Sequence, residues 1–145
     1  MTTREKLASS TFDSLNAMMR AYADEAVRAA ASEYGKKLDY SADSVAALEE
    51  ILASLPSAPE GDMEWLTKLW GSYFGEVFRR RYDADWTMSV YPGGQFAVPT
   101  LEIGGSRIYP LLKVNRRLTM GAGESLTGFL EMALKRLDAI RPLTN

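Results

Sequence analysis

The chain has 145 residues, 46% of them hydrophobic, a formal net charge of −2, and neither histidine nor cysteine. The double absence excludes Ser-His-Asp and Cys-His catalysis, zinc sites of the structural kind and most haem or iron–sulfur ligation, so no cofactor and no metal is expected. The length suits a single domain, residues 1–145, with one sizeable core, and the charge lacks the basic excess that nucleic-acid binding calls for.

Met1-Thr2-Thr3-Arg4-Glu5-Lys6 is followed by no apolar run of the signal-segment kind, and no later stretch reaches transmembrane length. A cytoplasmic protein without membrane contact is expected, with residues 1–11 as a flexible N-terminus. Phe12, Leu15, Met19, Tyr22, Ala26 and Ala30 recur at helical spacing until Gly35, predicting a first helix over 12–35. Its apolar stripe is thin and alanine-rich, which suits a peripheral helix on its own domain or one seam of a homodimer.

The core domain is expected over 38–140. Ser41 is placed to cap a second helix, with Tyr40 as a staple against Val45, and Val45, Leu48, Ile51, Leu52 and Leu55 form its apolar face. Pro56 to Gly61 reads as a loop, because Pro56 and Pro59 lack amide donors. Asp62 is placed to cap a third helix carrying Leu66, Leu69, Trp70, Tyr73, Phe74, Val77 and Phe78. Gly71 and Gly75 lie one turn apart beside that stripe; each costs about 1 kcal/mol relative to alanine unless something packs closely there, so a strand or a helix is expected against them.

From Trp86 the period changes. Trp86–Val90, Gln95–Ile103 and Ser106–Leu112, separated by Pro92-Gly93-Gly94 and Gly104-Gly105, read as a three-stranded antiparallel meander. Pro99 and Pro110 are expected at an edge, an end or a bulge. After Gly121-Ala122-Gly123 a final helix carries Leu126, Phe129, Leu130, Ala133, Leu134 and Leu137, and the tail from Arg141-Pro142 is expected to fray. The fold class is α+β: three helices, the meander, then a C-terminal helix, with the helices on one face of the sheet.

Leu69-Trp70-Gly71-Ser72-Tyr73-Phe74-Gly75-Glu76-Val77, then Trp86, Pro99-Thr100-Leu101-Glu102-Ile103-Gly104-Gly105, Tyr109-Pro110-Leu111-Leu112-Lys113-Val114 and Arg116-Arg117-Leu118 resemble a DUF3806-like pattern found in small bacterial proteins of unknown function. In that pattern a glycine-rich helix ending in an acidic residue precedes a Trp-bearing strand and a later proline followed by a basic pair. The resemblance spans residues 38 to 130 and leaves the first helix outside. It implies one bacterial cytoplasmic α+β domain and carries no activity.

Glu76 stands out inside an apolar helix. Buried without a cation it would be an acid or base with a raised pKa; paired, it would anchor helix to sheet, and an ion pair with Arg79 and Arg80 is the simpler expectation. Arg79-Arg80-Arg81 and the later Lys113, Arg116 and Arg117 could together bind an anion, or could simply complement a helix C-terminus and solubilise an aromatic helix. Gly121-Ala122-Gly123 lacks the rest of a phosphate-binding motif and reads as a turn. Asp83 and Asp85 are too few for a cation site. Tyr91 and Phe96, flanking the Pro-Gly-Gly turn, are the aromatics least easily buried and are candidates for protein contact. The expected function is therefore non-enzymatic binding of another macromolecule, a protein partner above all. The alternative is a carboxylate-based enzyme or small-anion binder centred on Glu76 with Lys113 and Arg116. A third reading, nucleic-acid backbone binding through the arginines, is disfavoured by the net charge.

Overall fold

A computed structural model describes residues 1–56 and 60–140. Ser57, Ala58 and Pro59 of the expected loop, and the tail from residue 141, lie outside the described residues. Among the described residues the chain forms six α-helices and one three-stranded antiparallel sheet. The helices are α1 (Thr3–Ser9), α2 (Leu15–Tyr34), α3 (Val45–Ser54), α4 (Glu60–Tyr82), α5 (Pro110–Met120) and α6 (Leu126–Ile140), and the strands are β1 (Trp86–Val90), β2 (Ala97–Ile103) and β3 (Ser106–Ile108). No helix among the described residues is long and apolar enough to cross a membrane.

Several boundaries follow local chemistry. Ser14 caps α2 by accepting from the Ala17 amide, and Gly35 ends it in the left-handed conformation at φ 62°. Ser41 accepts from the Ser44 amide and so caps a single 3₁₀ turn, Ala42–Ser44, that leads into α3. Gly104 and Gly105 take φ 57° and 83°, the pair of positive values that a tight two-residue hairpin requires. Pro99 lies on the central strand, but β3 pairs only with Leu101 to Ile103, so β2 has no neighbour on that side at Pro99.

Four expectations are corrected. The N-terminal segment contains α1, which has no buried residue and is held through Arg4, whose guanidinium donates to Asp62 at 2.7 Å and to the Gly61 carbonyl at 2.9 Å. Asp62 therefore lies inside the first turn of α4 and pairs with α1 instead of capping. The first long helix is not peripheral: Met19, Ala23, Ala26 and Ala30 of α2 are fully buried. Small alanine side chains let two helix axes approach closely, so a stripe that looks thin in sequence is consumed within the fold. Finally, the third strand stops at Ile108. Pro110, at the first position of α5, needs no amide donor and has a φ already suited to a helix, so it begins a helix inside the Ser106–Leu112 segment that was expected to be the third strand.

The two α4 glycines mark where these elements meet. A Cβ on Gly71 would lie 2.9 Å from the Leu111 Cα of α5, and one on Gly75 would lie 2.0 Å from the Trp86 indole of β1. Both a helix and a strand therefore press on α4. Trp70, Tyr73, Phe74, Phe78 and Tyr82 fill the centre of the core. Tyr73 OH accepts from the Tyr40 amide at 2.9 Å and shares a hydrogen bond with Ser44 Oγ at 2.6 Å, so its one polar atom is satisfied in the interior. Tyr40, at φ 68°, stacks on Tyr73 with ring centroids 4.9 Å apart.

Candidate functional site

Glu76 is fully buried and completely satisfied. Its carboxylate accepts from Arg79 at 2.5 and 3.0 Å, from Arg80 Nε at 3.3 Å and from Trp86 Nε1 at 2.9 Å. Burial by itself would raise its pKa, but the donors of Arg79, Trp86 and Arg80 together outweigh that and hold the carboxyl below its ordinary value. A carboxylate kept ionised and closed off in this way ties α4 to the start of β1. It does not sit with Lys113 or Arg116, and the arrangement offers no proton acceptor open to a substrate.

The arginine triplet is engaged by carboxylates in the same manner. Arg79 and Arg80 serve Glu76, while Arg80 also lies over the Tyr40 ring at 3.4 Å. Arg81 reaches Asp138 of α6 at 3.2 Å, and Tyr82 OH donates to the same carboxylate at 2.6 Å. Burial, then that hydrogen bond, pushes the Tyr82 phenol up to about 12.

Arg117 is likewise structural. It is buried, and its Nε donates to Glu49 Oε2 at 2.6 Å. The other Glu49 oxygen accepts from the Leu126 amide at 2.7 Å, the Thr127 amide at 3.3 Å and Ser125 Oγ at 3.0 Å. The anion-attracting start of α6, which the glycines at 121 and 123 precede, is thus filled by the protein's own carboxylate. Burial opposes ionisation of Glu49, but Arg117, Ser125 and the two amides prevail and lower its pKa. Replacing Glu49 by Ala removes a helix cap and strands a buried guanidinium, so urea denaturation should show a loss of about 3 kcal/mol. The Glu49→Ala, Arg117→Met double variant should recover part of it, because no unpaired charge is left behind. A loss below about 0.5 kcal/mol in the single variant would show the pair to be solvated, like an exposed one.

Lys113, Arg116 and Tyr91 come together elsewhere, in a cleft of about 300 Å³ lined also by Arg107, Tyr109 and Phe129. Tyr91 meets Tyr109 edge-to-face at 4.8 Å, and Arg116 lies over the Tyr91 ring at 5.6 Å and donates to its hydroxyl at 3.2 Å. Lys113 pairs with Glu124 at 2.7 Å and holds that carboxyl below its usual value. Arg107 makes a looser contact with Glu102 at 3.7 Å, with both side chains about half exposed. Among the described residues Arg116 has no carboxylate at ion-pair distance.

A second cavity of about 270 Å³ shares Arg107, Ile108 and Phe129 with the first and continues along α6 past Met132, Ala133, Arg136 and Leu137. The two form one groove between the end of the sheet, α5 and α6. Phe96 is 79% exposed, as its place beside the Pro-Gly-Gly turn implied, but does not line the groove. Of the residues singled out in the sequence, Tyr91, Lys113 and Arg116 are thus brought together, while Glu76, Arg79, Arg80, Arg117 and Phe96 lie apart from them. Arg107, Phe129 and Arg136 were not singled out as site residues. Their signal was available: the apolar arc of α6 is wider than its buried stripe of Leu126, Leu130 and Leu137, and Phe129, Met132, Ala133 and Arg136 share one side at helical spacing.

No protein-family model, curated protein or solved structure matches the chain. Among the described residues no group of three or more acidic side chains is placed to hold a metal ion.

Proposed function

We propose that this is a non-enzymatic binding domain whose working surface is the groove between β3, α5 and α6, and that it takes an acidic macromolecule. One observation carries the reading. The groove is lined by Arg107, Lys113, Arg116 and Arg136 and by no carboxylate, in a chain whose formal net charge is −2; Glu124 pairs with Lys113 and Glu102 lies 3.7 Å from Arg107, so among the described residues Arg116 and Arg136 are the two without an ion-pair partner. A cation-lined concavity beside apolar side chains raises the local concentration of an anionic partner and selects against a cationic one.

The enzyme alternative gains nothing from Glu76, whose carboxylate is buried and fully engaged by three side chains. The nucleic-acid alternative depended on Arg79, Arg80, Arg81, Arg116 and Arg117; Arg79 and Arg80 share Glu76, Arg81 pairs with Asp138 and Arg117 with Glu49, which leaves Arg116 alone of the five without a carboxylate at ion-pair distance among the described residues.

The test is fluorescence anisotropy with labelled polyglutamate at low salt, comparing the native chain with the Arg107→Glu, Arg116→Glu double variant. Both side chains are exposed, and a thermal melt of the variant checks that the like charges then facing each other at positions 102 and 107 leave the fold intact. The variant should bind about tenfold more weakly or worse, and the native affinity should fall as salt is added. Equal affinity for both proteins, or no binding by the native chain, would overturn the reading.

A further inference from the structure

We infer that the occupant of the groove is an acidic amphipathic helix of a partner protein, an inference that rests on the binding reading above and specifies its partner. The floor and the rim of the groove differ in kind. The floor is offered by Met132, which is 69% exposed, and by the half-buried Phe129 and Ala133 of α6, resting on the buried Leu137 and Ile108. The cations stand around it, Arg136 in one cavity, Lys113 and Arg116 in the other, and Arg107 where the two adjoin.

An apolar floor inside a basic rim is complementary to a helix with one apolar stripe flanked by Glu or Asp, which is the helix-in-groove mode of recognition. Methionine suits such a floor, because its unbranched side chain re-packs around knobs of different shape. Phe129 to Leu137 covers about 12 Å of helix axis, and the Tyr91 end lengthens the groove beyond that, so it can seat about three turns of a ligand helix. The cations are spread over two joined cavities and do not converge on one point, which fits an extended ligand better than a phosphate or other small anion. A single-stranded nucleic acid would need ring faces on which to stack its bases, whereas Tyr91 is engaged by Tyr109 and covered by Arg116. Addition of a strand to the sheet is a poorer fit, since β3 is only three residues long.

The experiment uses the full chain and three labelled probes. The first is a helical peptide of about 18 residues with leucines at i, i+4, i+7 and i+11 flanked by glutamates; the second has the same composition with that periodicity scrambled; the third is an oligouridylate of equal charge. The amphipathic peptide should bind at least about tenfold more tightly than either of the others. Met132→Asp, a change at an exposed position, should weaken it by a similar factor, as should Arg107→Glu with Arg136→Glu. Equal affinity for the periodic and scrambled peptides, each weakened by Arg107→Glu with Arg116→Glu, would overturn the helical partner and leave the basic-groove reading standing. Tighter binding of the oligouridylate, lost in the same charge-reversed variant, would overturn the protein partner. Binding of none of the probes would overturn both.

Discussion

Replacing Glu76 by Gln is expected to lower the unfolding free energy by about 3 kcal/mol, the size seen when one member of a buried ion pair is removed. The substitution is nearly isosteric, so little of the loss comes from packing. It comes from Arg79, 19% exposed, which loses the charge that compensates its own burial, and from the weakened bond of Trp86 Nε1. Arg80, 37% exposed, can turn toward water and limits the loss. Denaturant unfolding measures it directly; a change below about 1 kcal/mol would mean that the three donors find other partners.

The same variant should change the response to acid. The folded-state pKa of Glu76 is depressed, so its contribution is fully present above the unfolded value of about 4.3 and is lost as pH falls through the folded value. Native stability should therefore decline below about pH 4, and the Glu76→Gln variant should decline less steeply over that window. Glu49 and Asp138, whose carboxyls are also held low, keep some acid sensitivity in the variant.

Much of this core could be read from spacing, because α4 carries large side chains at every turn and its face was legible from Leu69 to Phe78. The α4 glycines were legible too, since a costly residue inside a strong helix implies a close neighbour. The reading lost its footing at Pro110, where an aromatic and apolar run suits a strand and a first helical turn equally well. It also had no means to assign partners. Glu49 and Arg117 are far apart in sequence, and nothing local marks Glu49 as the cap of α6 rather than as one more acidic residue on α3. The groove follows from that assembly. Tyr91, Lys113 and Arg116 become neighbours only once α5 is a helix packed against β2, and Arg107, from a strand of three residues, joins them in the same cleft.

Gly75→Ala is also expected to have a large effect, and its sign is set by a competition. Alanine favours an interior helical position by about 1 kcal/mol over glycine. Against this, the new Cβ would lie 2.0 and 2.3 Å from two atoms of the Trp86 six-membered ring and 3.0 Å from Pro110 Cγ. No rotation of the methyl group relieves such overlap, so the indole must move. Moving it draws Trp86 Nε1 away from Glu76 and shifts the start of β1, whose backbone amide is fixed by Asn16 at 2.8 Å. Overpacking of this kind costs about 1–3 kcal/mol, and loss of the buried hydrogen bond adds about 1 kcal/mol, so a net destabilisation of about 2 kcal/mol is expected. A double-mutant cycle with Trp86→Phe separates the causes, because phenylalanine lacks the outer ring atoms that the Cβ would strike. In the Trp86→Phe background Gly75→Ala should be close to neutral or slightly stabilising. If the glycine substitution cost the same in both backgrounds, contact with the indole would not be the reason that glycine occupies this position.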